Sequence, residues 1–131
     1  MFIDASALVA IIGDESDGPV LVTRIHRSER IFTSPLAAYE ATLALARIGN
    51  TTTAIARIAL ERFLAGAGAE TVPITAEIGQ LAIDAFTRFG RGHHPAGLNM
   101  GDCFAYACAR SLGVPLLFKG DDFSQTDIVA A

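Results

Sequence analysis

The chain has 131 residues, 51% of them hydrophobic, and a formal net charge of −4 at pH 7. That length predicts one domain, residues 1–131, with a substantial core. The acidic balance disfavours a general nucleic-acid binder. No apolar run reaches the roughly 18 residues of a membrane span, so we expect a cytoplasmic protein without a membrane partner.

Short apolar runs alternate with longer helical patterns, which predicts an α/β fold with a parallel sheet. In the first half of the chain the predicted elements are a strand at 1–4, helices at 7–12 and 19–27, a strand at 31–33, a helix at 35–48 and a helix ending near 65. Ser34 and Pro35 mark a helix start, because Ser caps a helix and Pro suits its first position. Either Thr51 or Thr52 caps the next helix.

In the second half the predicted elements are a strand at 70–74, a helix from the Thr75 cap to about 89, a loop at 91–98, a helix at 100–112 and a strand at 115–118. The tail from Gly120 is predicted to be a loop, with a terminal edge strand as the alternative. Cys103 and Cys108 lie five residues apart in one predicted helix, a spacing that suits neither a metal knuckle nor an unstrained disulfide. We therefore expect two buried, reduced thiols.

Acidic residues occupy four separate neighbourhoods of the chain. Asp4 follows the first strand, Glu40 lies in the helix at 35–48, Asp102 opens the helix at 100–112, and Asp121 and Asp122 follow the last strand. Carboxylates at strand ends and helix starts can meet at one edge of an α/β sheet. Without basic partners they would repel one another unless a divalent cation neutralised them, and Mg²⁺ or Mn²⁺ suits such hard oxygen ligands.

Three of these neighbourhoods also have a purely structural explanation. Asp4 suits a helix N-cap or a turn, and Ser6 either orients Asp4 or a metal-bound water, or itself caps the following helix. Asp102 is the third helical residue after an Asn99 cap, where a negative charge favours the helix dipole. A turn explains one Asp of the doublet easily and two in succession less well, so one Asp is expected to face the site and the other to face solvent.

Glu40 is harder to explain structurally. The helix at 35–48 is apolar almost all round, so we expect it to be buried, and a lone carboxylate there is costly unless it is paired or metal-bound. Arg47, seven residues on, is too far for an ordinary i,i+4 pair. The alternative is a narrow solvated stripe along this helix.

Asp102, Tyr106 and Arg110 recur every four residues on one face of their predicted helix. An acid, a phenol and a guanidinium in line would suit a metal followed by a phosphate backbone, which makes Arg110 a candidate supporting residue. The alternative is that this stripe is only the solvated side of the helix.

The stretches MFIDASAL, SPLAAYEATLALAR and LNMGDCFAYACARSLGVPLLFKGDDFSQTDI, in this order, resemble PIN-domain ribonucleases, and most of all the VapC-type toxins of bacterial toxin–antitoxin pairs. The resemblance covers essentially the whole chain. It implies a single PIN-like domain whose small parallel sheet is flanked by helices on both faces, often as a homodimer. It further implies cleavage of an RNA substrate with Mg²⁺ or Mn²⁺, inhibition by a cognate VapB-like antitoxin, and contact with DNA only indirectly through that antitoxin.

By this resemblance, Asp4, Glu40 and Asp102 match the three main acidic positions of the family, and Ser6 falls where relatives carry Ser or Thr. The fourth acidic position is expected at Asp121, with Asp122 as its rival. Asp4 and Asp102 would be the principal metal ligands. Glu40 would hold a second ion or position the attacking water, and Asp121 would complete the shell.

Two other classes of function are kept as alternatives. A haloacid-dehalogenase-like phosphatase needs a second Asp two residues after the first, where this chain has Ser6, and it leaves Glu40 and Asp102 unexplained. A non-catalytic PIN-like module would keep the acidic pocket to receive basic side chains of a partner. The RNA target, the number of metal ions and the oligomeric state do not follow from the sequence.

Overall fold

The computed structural model describes residues 1–131, which form four short strands and six helices. In chain order these are β1 Phe2–Ile3, α1 Ala5–Ile12, α2 Gly18–His26, β2 Phe32–Thr33, α3 Pro35–Ile48, α4 Thr53–Gly66, β3 Glu70–Thr71, α5 Ala76–Phe89, α6 Met100–Leu112 and β4 Leu116–Leu117. All strand pairs are parallel, in the order β3-β2-β1-β4. The strand order therefore reverses at β1, and a crevice between the ends of β1 and β4 is the place where such sheets bind ligands.

Successive residues of each strand point to opposite faces of the sheet, and each face has its own core. Phe2 and Leu116 pack with α5 and α6, whereas Ile3 and Leu117 pack with α1, α2, α3 and α4. The predicted α/β fold with helices on both faces is confirmed. None of the helices is both long and apolar enough to cross a membrane.

The two cysteines lie on α6, where both are buried and unbonded, as predicted. Burial raises the pKa of Cys103 and of Cys108 to about 11, so both remain protonated thiols at neutral pH.

Helix starts follow the capping residues. The Ser34 hydroxyl accepts a hydrogen bond from the Ala37 amide at 3.1 Å, and Thr52, rather than Thr51, caps α4. The strands are shorter than predicted. In particular β3 ends at Thr71, because the following segment contains Pro73, which has no amide to donate to a neighbouring strand. At the carboxyl terminus Ala130 bridges to Leu116 and extends the sheet edge beside β4.

The expectation that α3 is buried all round is wrong. Tyr39 is 60% exposed, Leu43 42% and Ile48 55%. Only one row of side chains, which includes Ala37, Ala41 and Leu45, is buried. An apolar helix exposes one side whenever no second layer covers it, and within this chain α3 packs with one face only.

Candidate active site

A cavity of about 460 Å³ lies beside the carboxyl ends of β1 and β4, where the strand order reverses. We call it the acidic cavity. Its charged lining residues are Asp4, Glu15, Glu40, Asp102 and Asp122, together with Arg47 and Lys119. Acidic side chains from distant parts of the chain thus meet at the edge of the sheet that the sequence indicated.

Asp4 is almost fully buried and serves as the N-cap of α1. Its Oδ2 accepts hydrogen bonds from the Ser6 amide at 2.9 Å and from the Ser6 hydroxyl at 2.5 Å, which leaves Oδ1 for another partner. The Ser6 hydroxyl in turn accepts a hydrogen bond from the Lys119 amide at 3.0 Å. Ser6 therefore orients Asp4 and joins the ends of β1 and β4, while the cap itself is Asp4.

Asp102 is held by a capping box at the start of α6. The Asn99 side chain accepts from the Asp102 amide at 3.1 Å, and Asp102 Oδ2 accepts from the Asn99 amide at 2.8 Å. The structural explanation considered for Asp102 is therefore correct. It does not compete with a role in the site, because the capped carboxylate also lines the acidic cavity.

The half-buried Glu40 carboxylate lies directly over Gly101, and a Cβ atom at position 101 would overlap it. Gly101 is a residue of the site that the sequence reasoning missed. The signal was a glycine in the first turn of a helix, immediately before Asp102, where glycine weakens the helix unless close approach requires it.

The structure brings Asp122, and not Asp121, to the acidic cavity. The chain turns at Gly120, which has a φ of +93°, and the next anchor is the buried Phe123. The sequence favoured Asp121, but Asp122 is the member of the doublet that lines the cavity. The buried Phe123 fixes the backbone next to it and so determines which Asp faces inwards.

Arg110 lies outside the acidic cavity. It lines a separate cavity of about 320 Å³ together with Arg88 and Tyr106. Tyr106 is buried, and its hydroxyl donates a 2.6 Å hydrogen bond to Asp127. Residues eight apart on a helix are separated by about 80° and about 12 Å, so Asp102 and Arg110 diverge although each four-residue step keeps nearly the same face.

The acidic cavity raises the pKa of three of its carboxyl groups, those of Asp4, Glu40 and Asp102. Burial is the main cause that raises the pKa of Asp4, and the Ser6 hydrogen bonds partly oppose it. Burial, and then the charges of Asp4 and Asp102, raise the pKa of Glu40. The pKa of Asp102 is raised to about 6, again chiefly by burial, with Asp4 and Asp122 adding to the shift. Arg91 opposes the shift of Asp102 only in part, and a bound cation would supply further positive charge to these acids.

The lining oxygens suit a hard divalent cation such as Mg²⁺ or Mn²⁺. As positioned, no three His, Cys, Asp or Glu side chains are grouped closely enough to hold an ion. A bound ion would therefore have to draw the carboxylates together by rotation of their side chains. Because Asp4 and Asp102 are fixed by caps, the adjustment would fall mainly on Glu40 and the exposed Asp122.

A family model described as the PIN domain matches residues 1–129. Together with the parallel sheet and the acidic cavity, this match defines the chain as a PIN domain. A VapC ribonuclease of Rhizobium meliloti (strain 1021) is 38% identical over 139 residues, which cover 97% of this chain and 98% of that protein. Ribonuclease VapC30 of Mycobacterium tuberculosis is 38% identical over 129 residues, covering 98% and 95%. The chain belongs to the VapC family of PIN-domain proteins.

Solved structures share this fold at lower sequence identity. The crystal structure of Mycobacterium tuberculosis VapC20, described as a Sarcin-Ricin loop cleaving toxin, aligns with a TM-score of 0.77 at 18% identity, over 99% of this chain and 97% of that one. A toxin–antitoxin complex from Klebsiella pneumoniae aligns with a TM-score of 0.71 at 14% identity, over 99% and 95%. At these identities the likeness concerns the fold.

Proposed function

We propose that this protein is a divalent-metal-dependent endoribonuclease, the toxin of a VapBC-type toxin–antitoxin pair, which hydrolyses phosphodiester bonds in RNA in the cytoplasm. The observation that carries the proposal is the acidic cavity, which gathers Asp4, Glu40, Asp102 and Asp122 at the switch point of the sheet. The match to ribonucleases over nearly the full length of both chains supports it.

Asp4 and Asp102 are the proposed principal ligands of Mg²⁺ or Mn²⁺. Each commits Oδ2 to a cap and keeps Oδ1 available, so its direction is set before any ion arrives. Glu40 is proposed to hold a second ion or to position the attacking water, and Asp122 to complete the set. Ser6 keeps Asp4 in place. Such preorganised groups lower the barrier because they need little rearrangement during the reaction.

A divalent ion bound there would lower the pKa of a bound water and neutralise charge on the phosphate. Protons compete with the ion for the same carboxylates. The pKa of Asp102 in the metal-free protein is raised to about 6, so at ion concentrations that do not saturate the site activity should decline as the pH falls through that value.

The test is cleavage of RNA by the purified chain, with Mg²⁺ or Mn²⁺ and with a chelator. Asp4→Asn and Asp102→Asn keep a side-chain oxygen for each cap, so they should fold while losing at least about a hundredfold in rate. Asp84→Asn on α5 is the matched control, because it removes the same charge outside the acidic cavity. Chelator-resistant cleavage, or full activity in both site variants, would contradict the proposal.

A second pair of variants tests the fourth position. Asp122→Asn should lower the rate and raise the ion concentration needed for half-maximal activity, whereas Asp121→Asn should change neither. The reverse result would assign the fourth acidic position to Asp121 and show that the arrangement at Gly120–Phe123 differs during catalysis.

We also propose that a cognate VapB-like antitoxin binds this chain. The near-full-length match to VapC ribonucleases supports such a partner. Co-expression with the product of a short neighbouring reading frame should abolish both growth inhibition and RNA cleavage. If no neighbouring product neutralises an active chain, the toxin–antitoxin part of the proposal fails and the nuclease part remains.

The resemblance also implies a homodimer, for which we propose the exposed apolar surface formed by α5 and the start of α6. A cavity of about 470 Å³ lies between these helices, and seven of its nine lining residues are hydrophobic. Ile83 is 60% exposed and Met100 64% beside it. An exposed apolar surface of this kind is typical of a protein–protein contact.

A further inference from the structure

Lys119 is the only lysine of the chain, and it lines the acidic cavity. It follows β4, and its backbone amide donates to the Ser6 hydroxyl that orients Asp4. The backbone of Lys119 is therefore fixed next to the candidate metal ligands, while its ammonium group lies at the end of a flexible four-carbon side chain.

The Lys119 ammonium is engaged by two acids of the loop between α1 and α2. It forms an ion pair with Glu15, and Asp17 lies 3.7 Å away. Glu15 itself lines the acidic cavity, and the Lys119 and Glu15 side chains are 35% and 30% exposed. Arg47, the other basic lining residue, makes no ion pair.

An RNA backbone entering this cavity meets five acidic and two basic side chains. A phosphate that is not bound to a metal ion therefore needs a cation from the protein, and one of the two candidates is already neutralised. Ion pairs with this much exposure contribute little to stability, so a phosphate can compete for the ammonium.

We propose that Lys119 binds an RNA backbone phosphate next to the scissile position, and that Glu15 and Asp17 hold its ammonium in the free protein and thereby weaken substrate binding. This inference rests on the proposed ribonuclease function. It assigns the loop between α1 and α2 an inhibitory electrostatic role, through a contact that RNA must displace.

The competing explanation is that the ion pair is only a structural tie between this loop and the segment after β4. The two explanations predict different signs. If the contact is structural, removing either partner should harm the protein in the same way. If Glu15 competes with RNA, removing Glu15 should strengthen RNA binding and removing Lys119 should weaken it.

The experiment compares Glu15→Gln, Lys119→Gln, the double variant and Lys119→Arg, with KM and kcat measured on a single-stranded RNA. Lys119→Gln should raise KM about tenfold with little change in kcat, and should reduce the slope of log KM against log salt by about 0.7, the value for one lost phosphate contact to a single strand. Glu15→Gln should lower KM about threefold, on the scale of an exposed ion pair. The double variant should match Lys119→Gln, and Lys119→Arg should retain the wild-type salt slope.

A second measurement needs neither a metal nor catalysis. In protein labelled with ¹⁵N-lysine, the ammonium of Lys119 gives the only lysine side-chain signal, since the chain has one lysine. With a chelator present, addition of single-stranded RNA should shift this signal, and Glu15→Gln should reach the same shift at a lower RNA concentration.

This inference would be overturned if Glu15→Gln and Lys119→Gln changed KM in the same direction, or if Lys119→Gln left the salt slope unchanged. In either case, RNA cleavage by the wild-type chain would still uphold the ribonuclease proposal. A lysine signal that RNA does not shift would also overturn it. A wild-type chain that neither cleaves nor binds RNA would overturn both proposals. Thermal melting of each variant separates loss of folding from loss of the contact.

Discussion

At the scale of single residues, Asp4 and Asp102 each combine a structural role with a place in the acidic cavity. Asp4 caps α1 and Asp102 closes the capping box of α6. A cap constrains the direction of a side chain, because the capping carboxylate must accept a hydrogen bond from a backbone amide at a set position. The local sequence therefore aims these two carboxylates before tertiary packing brings them together.

Gly101→Ala tests the close approach of Glu40 to α6. Alanine favours a helix by up to about 1 kcal/mol over glycine, yet its Cβ would displace the Glu40 carboxylate. We expect a folded protein whose RNA cleavage falls about tenfold or more, since small misplacements of reacting groups are costly. Gly66→Ala in α4, where a Cβ meets no atom within 4 Å, is the matched control and should keep full activity. Unchanged cleavage by Gly101→Ala would show that Glu40 is free to move.

Asp102 also predicts how the stability of the metal-free protein depends on pH. Its pKa is raised from 3.8 to about 6, so the folded state binds more protons than the unfolded state between these values. The free energy of unfolding should therefore fall by about 1 kcal/mol as the pH rises through this window, after allowance for solvent screening, and should level off above it. This change corresponds to about 3 to 5 °C in Tm.

The measurement is thermal melting in a chelator between pH 5 and pH 7.5. Asp102→Asn should flatten the dependence without removing it, because the raised pKa values of Asp4 and Glu40 act in the same direction. A slope of opposite sign, or a slope that Asp102→Asn leaves unchanged, would show that other groups dominate.

At the scale of elements, the segment after β4 is held at three points around Asp122. The Lys119 amide bonds to Ser6, Phe123 is buried in the core, and Asp127 accepts hydrogen bonds from Tyr106 at 2.6 Å and Arg88 at 2.9 Å. Local bonds from Ser124 to Asp121 and from Thr126 to Phe123 join these points into one compact turn. The position of Asp122 therefore depends on contacts with α1, α5 and α6.

Tyr106→Phe tests this anchoring without leaving a cavity. Loss of the hydroxyl removes its bond to the Asp127 carboxylate and the 3.4 Å bond from Arg88. It should cost about 1.5 kcal/mol, the low end for a hydrogen bond to a charged group, while Arg88 still holds Asp127. Hydrogen exchange should accelerate at amides of residues 124–131 before it does elsewhere. Tyr39, the chain's other tyrosine, is 60% exposed, so Tyr39→Phe should change neither the stability nor the hydrogen exchange. Uniform acceleration across the chain would indicate global destabilisation instead.

At the scale of the whole molecule, apolar surface remains uncovered on both sides of the sheet. Ile83, Phe86 and Met100 are exposed around α5 and α6, and Tyr39, Leu43 and Ile48 are exposed on α3. A chain of this size needs no partner to complete its two cores. Contiguous exposed apolar surface of this kind is typical of protein–protein contact sites.

Ile83→Glu should convert the proposed homodimer into a monomer, because a buried unpaired charge at the contact is strongly unfavourable. Ile55→Glu is the matched control: Ile55 is 58% exposed and Ile83 60%, and Ile55 lies on α4. Sedimentation at several protein concentrations would measure the two variants. A wild-type monomer, or dissociation by Ile55→Glu alone, would contradict the proposed dimer surface.

The sequence by itself determined the features that depend on neighbours along the chain. Helix limits followed from caps such as Ser34 and Asn99, and the alternation of short strands with helices predicted the parallel α/β sheet. Asp4 and Asp102 were candidates because they stand at a strand end and a helix start, and Glu40 because it is a lone acid in an apolar helix. The structure places all three at one cavity.

Tertiary structure alone decided what depends on residues far apart in the chain. The burial of Phe123 turned Asp122 rather than Asp121 towards the acidic cavity, and the packing of α3 against α6 placed Glu40 against Gly101. The pairing of Lys119 with Glu15 joins residues 104 positions apart. Such contacts arise from packing in three dimensions, which periodicity and capping along the chain do not encode.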